Sequence, residues 1–385
     1  MKILVLGAGM YVTGRNSSAN GTVLSALVQV SKEVKVNKIV VVATKNSNAK
    51  LVEEGSKKIK NDLQSDVSID YKRIENNILL KNFCESESFD CGIIVTPDNC
   101  HFEQISILFS LNIHVLCVKP LVNNILENIQ LIKLQEEKKL LGVVEFHKRY
   151  DEANLFTKKI LNSDKIGKIL YYSVEYSQRI SIPLESFRSW VEYTNIFQYL
   201  GVHYVDLFYF FTGYKPIRLC AYGTFGRLKS EGINTYDSIH VNIIWIDRDN
   251  SECITVFNTN WIDPNCTSAM SDQKYKIVGT KGRIENNHKN RGIELVSDTE
   301  NIEHPNPYFS EYLYDSDGNN EFNGYGYKSI SQFIKDVSNI KVGKINIEFL
   351  KNKRPDFSEA LISTSIIEKV NISLKNNNQW VSIIE

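Results

Sequence analysis

The chain has 385 residues, enough for two to three domains of ~150 residues each, and its 42% hydrophobic and 11% aromatic content describes an ordered globular protein. Forty-five Lys and Arg balance forty-five Asp and Glu, so no net field draws it to nucleic acid or an anionic membrane. Its most apolar stretch, Tyr204 to Phe211, contains Asp206 and falls well short of the ~18 residues that a bilayer span needs.

Met1-Lys2 runs straight into Ile3-Leu4-Val5-Leu6, too short for the apolar core of a signal peptide. The seven cysteines are odd in number and form no C-x-x-C pair, and several sit in apolar strand-like runs, where a thiol behaves as a small hydrophobe. These features predict a reduced, cytoplasmic protein without structural zinc.

Up to about residue 146, short apolar strands alternate with helical stretches. Strands are expected over 2–6, 38–43, 91–95, 114–118 and 141–146, and helices over 22–32, 48–62, 101–110 and 124–139. Continuous Val, Ile and Leu runs are buried on both faces, which predicts a doubly wound parallel sheet of the Rossmann kind. Beyond residue 147 the rhythm changes. Aromatic and β-branched strands over 169–177, 217–222, 238–247, 251–258 and 272–278 follow one another, the pattern of a mainly antiparallel sheet in an α+β domain spanning 147–385. One long helix interrupts them over 195–211, with Thr194 or Asn195 as N-cap and Gly213 past its end. A last helix is expected over 357–374, and 303–327 reads as a long surface loop.

Gly7-Ala8-Gly9 follows the first strand, where glycines permit a tight turn and close approach of backbone to a pyrophosphate. The third glycine of a dinucleotide loop is displaced: Val12 stands in its place, and the next glycines are Gly14 and Gly21. The helix is therefore expected to begin only near Gly21, after a loop carrying the anion-friendly Thr13, Arg15, Asn16, Ser17 and Ser18. After the second strand, Thr44-Lys45-Asn46-Ser47 offers no carboxylate for ribose hydroxyls. It is either an ordinary polar turn or a seat for a 2′-phosphate, which Lys45 would neutralise, and on balance it favours NADP over NAD.

Asp90-Cys91-Gly92-Ile93-Ile94-Val95-Thr96-Pro97, followed by His101, resembles the third-strand motif of the glucose-fructose oxidoreductase/inositol dehydrogenase/rhizopine-catabolism (Gfo/Idh/MocA) family. Val118-Lys119-Pro120 sits where that family has Glu-Lys-Pro, and Gly201-Val202-His203-Tyr204-Val205-Asp206 matches its G-x-H-x-x-D helix. Pro355, Glu359-Ala360-Leu361, Glu368, Ser373 and Trp380-Val381 follow the family's closing helix, which could pack back on the first domain. The resemblance implies a cofactor set of Gly7, Gly9, Met10, Tyr11, Thr44, Lys45, Thr96, Pro97, His101 and Lys119, and a homodimer or homotetramer.

Position alone leaves Lys119 equally a solvated strand-end residue or a catalytic one; the resemblance makes it the donor to the reacting hydroxyl, stabilising developing alkoxide. A lone His203 in an apolar helix is by itself more often a core residue, whereas the resemblance makes it the general acid/base. Many family members carry Asp four residues before that histidine; here stands Tyr199, beside Gln198. The constellation becomes Lys119, Tyr199 and His203, and the family glutamate is replaced by Val118.

Where the family commonly has Asn or His with Arg near the nicotinamide, this chain has His147 with Arg149. Solvated surface arginines are the ordinary case, yet Arg149, Arg179 and Arg188 together suggest an anionic substrate, with Gln198 and Tyr199 as further contacts. The seven histidines show no metal-ligand spacing. The expected function is NAD(P)-dependent hydride transfer to or from a carbinol carbon of a sugar, sugar acid, cyclitol or nucleotide-sugar. Two others stay open: redox-neutral glycoside cleavage or epimerisation by transient oxidation, and a non-catalytic nucleotide-binding regulator.

Overall fold

A computed structural model describes residues 1–15, 20–298 and 302–383. Asn16, Ser17 and Ser18 of the expected phosphate loop lie outside the described residues. The chain forms two compact units, Met1–Tyr150 with Tyr308–Leu361, and Asp151–Pro307 with Ile362–Glu385.

The first unit opens with β1 (Lys2–Leu6), α1 (Met10–Thr13), α2 (Thr22–Val30), β2 (Lys38–Ala43), α3 (Ser47–Asp62), β3 (Ser68–Arg73) and α4 (Asn77–Ser86). It continues with β4 (Cys91–Ile94), α5 (His101–Ser110), β5 (His114–Val118), α6 (Ile125–Lys138) and β6 (Gly142–Glu145). The strands pair in parallel in the order β3-β2-β1-β4-β5-β6, the doubly wound topology that the strand and helix alternation predicts. The β3–α4 segment carries no apolar run: Ser-Ile-Asp-Tyr-Lys-Arg is a half-exposed edge strand, so its sequence hides it. The helix after β1 differs from expectation. It starts at once as the single turn α1, breaks at Gly14 in the left-handed region, and resumes as α2 with Gly21 as N-cap.

The second unit runs through α7 (Glu152–Leu161), β7 (Ile169–Arg179), α8 (Val202–Thr212), β8 (Lys215–Thr224), α9 (Arg227–Ser230), β9 (Ser238–Ile246), β10 (Glu252–Asp263), β11 (Ser271–Gly279) and β12 (Arg283–Asn287). Its seven-stranded sheet, closed by β15 (Val381–Ser382), has the order β12-β11-β7-β10-β9-β8-β15. Only β7 and β10 are parallel neighbours; every other pair is antiparallel. The apolar helix α8 lies on one face, where Phe208 stacks on Tyr172 with centroids 5.2 Å apart and meets Trp245 at 5.0 Å.

The chain then returns to the first unit with the hairpin β13 (Glu311–Tyr314) and β14 (Asn320–Asn323), α10 (Tyr325–Lys341) and α11 (Ile347–Leu350). The expected surface loop over 303–327 is thus largely structured. Tyr312 donates to Ser25 Oγ at 2.8 Å and Tyr327 donates to Glu33 at 2.8 Å, tying the return segment to α2. Ile330, Phe333, Ile334 and Val337 of α10 enter the same core as Ile3, Val5 and Leu27. The last helix, α12 (Phe357–Lys375), gives its first turn to the first unit and the rest to the second. No helix among the described residues is long and apolar enough to cross a membrane.

The second unit's most demanding buried charge is Asp151, which caps α7 by accepting from Ala153 N. Burial alone would raise its carboxyl; bonds from His288 and a bidentate Arg291 (2.8 and 3.0 Å) outweigh that and hold it well below the usual range. Removing one partner of such a pair costs ~3–5 kcal/mol. Arg291→Met should therefore destabilise the second unit by about that amount in urea melts at pH 7. Because the carboxyl is depressed, its stabilisation is present above the ordinary carboxylate range and lost as pH falls; the deficit should narrow below about pH 4. An equal deficit at pH 7 and pH 3 would refute the ionic account.

Candidate functional site

The first unit's strand exits gather the residues with chemistry. Gly7 has φ +113°, and an added Cβ would lie 2.3 Å from the Val95 carbonyl oxygen, so only glycine fits where β1 passes β4. A Cβ on Gly9 would meet nothing within 4 Å, leaving the open approach to backbone that a pyrophosphate needs. Gly21 takes over close packing: its Cβ would fall 2.1 Å from Val12 O, so α2 starts against the backbone of α1. These residues fit a dinucleotide. Beyond β2, Thr44 and Lys45 are exposed, and their turn is stapled by Tyr71, which donates to Lys45 O at 2.6 Å, and by Arg73, whose Nε donates to Thr44 O at 3.2 Å.

His101, fully buried, joins the exits of β4 and β5. Its Nε2 lies 2.9 Å from Thr96 O, and its Nδ1 lies 2.9 Å from Pro120 O and 3.1 Å from Leu121 O. Thr96 Oγ1 donates to Gln104 at 2.6 Å, and Pro97 precedes the turn that holds the buried Asp98. Lys119 follows β5 directly, joined to Pro120 by a cis peptide. Burial pushes its ammonium down to about 7, against the opposing pull of Glu145 and Asp98. Tyr11, on α1 beside Met10, donates to Glu145 at 3.2 Å and stacks with Phe309. His147 stacks on Tyr325 with centroids 5.7 Å apart.

In the second unit, Asn195 caps the expected helix, accepting from Gln198 N at 2.9 Å, and Gly213 ends it in the left-handed region. Between them the helix is not uniform: Phe197–Gly201 forms a π turn ahead of α8. Tyr199 and His203 are therefore not related by simple α-helical spacing. Tyr199 packs edge-on against Phe187 at 4.8 Å and is hydrogen-bonded by Gln178. Burial pushes its phenol up to about 12, so it stays neutral across the physiological range. Gln198 accepts from Asn371 at 3.4 Å; His203 and Asp206 are buried on α8.

The three arginines have different surroundings. Arg149 is buried and ion-paired with Glu359, within the first unit. Arg179 donates to the carbonyl and hydroxyl of Thr267, and Arg188 is exposed. Three relevant residues escaped the sequence: Glu145, Arg73 and Gln178. Each owes its place to sheet register or to a distant contact, and only the reversal of apolar rhythm at Glu145, an acid ending a buried strand, was a visible signal. Among the described residues, no group of three or more His, Cys, Asp or Glu could hold a metal ion.

Both units have relatives among known proteins. The domain family described as the oxidoreductase family with NAD-binding Rossmann fold matches residues 1–146, and the Gfo/Idh/MocA C-terminal domain matches residues 155–285. An uncharacterized oxidoreductase of Schizosaccharomyces pombe is 28% identical over 86 residues, only 22% of this chain and 23% of that protein. Among solved structures, myo-inositol 2-dehydrogenase from Lactobacillus plantarum is similar at TM-score 0.68 and 18% identity, covering 100% of this chain and 99% of that one. Scyllo-inositol dehydrogenase from Lactobacillus casei, bound to NAD(H) and scyllo-inositol, matches at 0.68 and 15%, with 100% and 99% covered. An Agrobacterium radiobacter oxidoreductase in complex with NAD+, L-tartaric acid and magnesium matches at 0.68 and 14%, with 100% and 98% covered. At these identities the structural likenesses speak for the fold, while the two matched domains speak for descent: the chain belongs to the Gfo/Idh/MocA family of oxidoreductases.

Proposed function

We propose that this chain is an NAD(P)-dependent dehydrogenase or reductase acting on a carbinol carbon of a small carbohydrate-like substrate, a sugar, sugar acid, cyclitol or nucleotide-linked sugar. The carrying observation is Lys119 at the carboxyl end of β5, where open α/β sheets bind ligands, with an ammonium that burial pushes down to about 7. The cyclitol and hydroxy acid named for two structural neighbours fall within this substrate class.

When bound, the nicotinamide supplies or accepts the hydride. The chain's own groups do the rest. Lys119 Nζ, while charged, donates to the reacting oxygen and stabilises negative charge there; the Gly7–Gly9 backbone and the His101 brace fix the strand exits around it. His203 is assigned the proton exchange with the substrate hydroxyl, and Tyr199, as a neutral phenol, can only donate or accept a hydrogen bond. Arg149, Arg179 and Arg188 are carried forward as candidate anion contacts, with Arg188 the most exposed. Pairing of second-unit sheets into a dimer or tetramer belongs to the same proposal.

NADP is proposed as the preferred cofactor. No carboxylate stands in the Thr44–Ser47 turn itself, and Arg73, paired with Glu75 at 2.6 Å, brings a guanidinium to it through Thr44 O. Calorimetric titration should find NADPH bound more tightly than NADH, and Lys45→Asp should reverse the order, since a carboxylate repels a 2′-phosphate and accepts ribose hydroxyls. Tighter NADH binding by the unaltered protein would defeat the preference.

Substitutions separate the roles. Lys119→Ala should nearly abolish turnover while leaving cofactor affinity almost intact, and His203→Ala should lower kcat by about 10²–10⁴. In the direction of carbonyl reduction, kcat/KM should fall as pH rises through about 7, where Lys119 loses its proton; Lys119→Arg, permanently charged, should flatten that limb. Tyr199→Phe tests the phenol: a large loss makes it a substrate contact, a small one makes it packing. Unchanged kcat in both the Lys119→Ala and His203→Ala variants, on a substrate that the unaltered enzyme turns over, would sink the mechanism.

A further inference from the structure

The turn that delivers His203 is held from outside its own helix. Phe197–Gly201 closes as a π turn, with Val202 N–H donating to Phe197 O, and α8 begins directly after it. A π turn takes one residue more than an α turn, so its loss would slip the helix by one residue and swing His203 by about 100° around the axis. At the junction the Phe197 ring lies so close to Gly201 that an added Cβ would fall 2.5 Å from Phe197 Cδ2, and the same ring meets Phe257 edge-on at 5.6 Å. That packing settles the start of the turn and leaves its exit into α8 to be fixed by another contact.

Tyr204, the residue after His203, makes that contact. It is fully buried; its hydroxyl donates to Gln273 of β11 at 3.2 Å and lies 2.8 Å from His288 Nδ1. His288, just past β12, is itself fixed. Its backbone N–H donates to Gln273 O at 2.8 Å, while Asn286 Nδ2 and Asp151 Oδ2 lie 3.1 and 3.4 Å from its Nε2. Arg291 clamps Asp151 from the other side. A buried phenol needs a partner for its hydroxyl, yet any packed neighbour could supply one. Here the partner belongs to a chain of contacts that runs from the sheet edge through His288 to a buried ion pair.

We propose that the Tyr204–His288 bond is a register lock for the start of α8. Tyr204 and His288 are positioning residues: they hold the π turn in place and so fix the direction in which His203 leaves the helix. The acid/base role of His203 rests on the function proposed above; the lock does not.

The lock can be read on the full chain without turnover. With histidine labelled at the ring carbon between its nitrogens, His203 gives one NMR signal, identified by its loss in His203→Gln. Tyr204→Phe removes a single oxygen and keeps the ring, and it should shift or split that signal as the turn slips. His288→Leu should do the same, whereas His288→Asn, whose amide reaches the place of Nδ1, should restore the native signal. On turnover, Tyr204→Phe should lower kcat by up to about 10²-fold, the effect of a misplacement of about 1 Å, with KM unchanged. In a His203→Ala background the same change should lower it no further, because a positioning residue acts only through the residue it positions. An unmoved His203 signal in a folded Tyr204→Phe protein overturns the proposal; where that variant does not fold, identical signals in His288→Leu and His288→Asn overturn it. An equal loss of kcat in both backgrounds also overturns it. The two levels separate: a moved signal in a chain whose turnover His203→Ala leaves intact supports the lock and refutes the acid/base role. An unmoved signal where His203→Ala lowers kcat does the reverse.

Discussion

The imidazole of His101 is the brace on which the first unit's chemistry depends. A parallel sheet delivers its strands to one edge but does not by itself hold their exits, because each backbone leaves hydrogen-bonded pairing at that point. His101 spans this gap between the exits of β4 and β5, reaching Thr96 O on one side and the Pro120 and Leu121 carbonyls on the other. Lys119 is caught between the last ladder bond and that brace. Its backbone is held on both sides, which fixes the point from which its long side chain starts.

Around that fixed point the unit recruits support from far along the chain. Phe309 and Tyr325 form the aromatic packing behind Tyr11 and His147, and Glu359 neutralises the buried Arg149. Arg354 pairs with Asp336 and Asn128 donates to Phe357 O, so the start of α12 is anchored by both charge and hydrogen bonding. The strand exits are thus walled by residues about two hundred positions away in sequence.

Much of the fold was legible because burial writes itself into composition. The runs Ile3-Leu4-Val5-Leu6, Ile39-Val40-Val41-Val42 and Val115-Leu116-Cys117 can only be strands covered on both sides, and they are. β3 was not legible, since an edge strand has one neighbour and keeps Asp70, Lys72 and Arg73 in water. The hairpin of β13 and β14 was hidden by its Asn, Asp and Gly content, which marks turns in a strand pair as readily as it marks a loop. At the site, Gly7 could be read from local spacing, whereas Lys119 and His101 stood out only through the family resemblance. Glu145 left only the trace of an acid ending an apolar strand, and Gln178 left none, because a side chain's reach across strands has no local pattern. The π turn at Phe197–Gly201 likewise adds no residue type of its own; it only changes which side chains share a face.

The discontinuity of the first unit sets a timetable for its biosynthesis. Its core contains Phe322, Tyr327, Phe333, Ile334 and Leu350, residues that leave the ribosome only after the whole intervening unit has been made. At ~5–20 residues per second, roughly 200 residues separate the completion of β6 from the arrival of the final core segment, a wait of about 10–40 s. Throughout that interval the nascent six-stranded sheet carries an uncovered apolar face over α2 and β1. The second unit waits as well, because Ile362–Glu385 completes it and is made last. Neither unit can close its core until the C-terminal segments have been made, so the emerging chain is a natural client for chaperones that shield apolar surface.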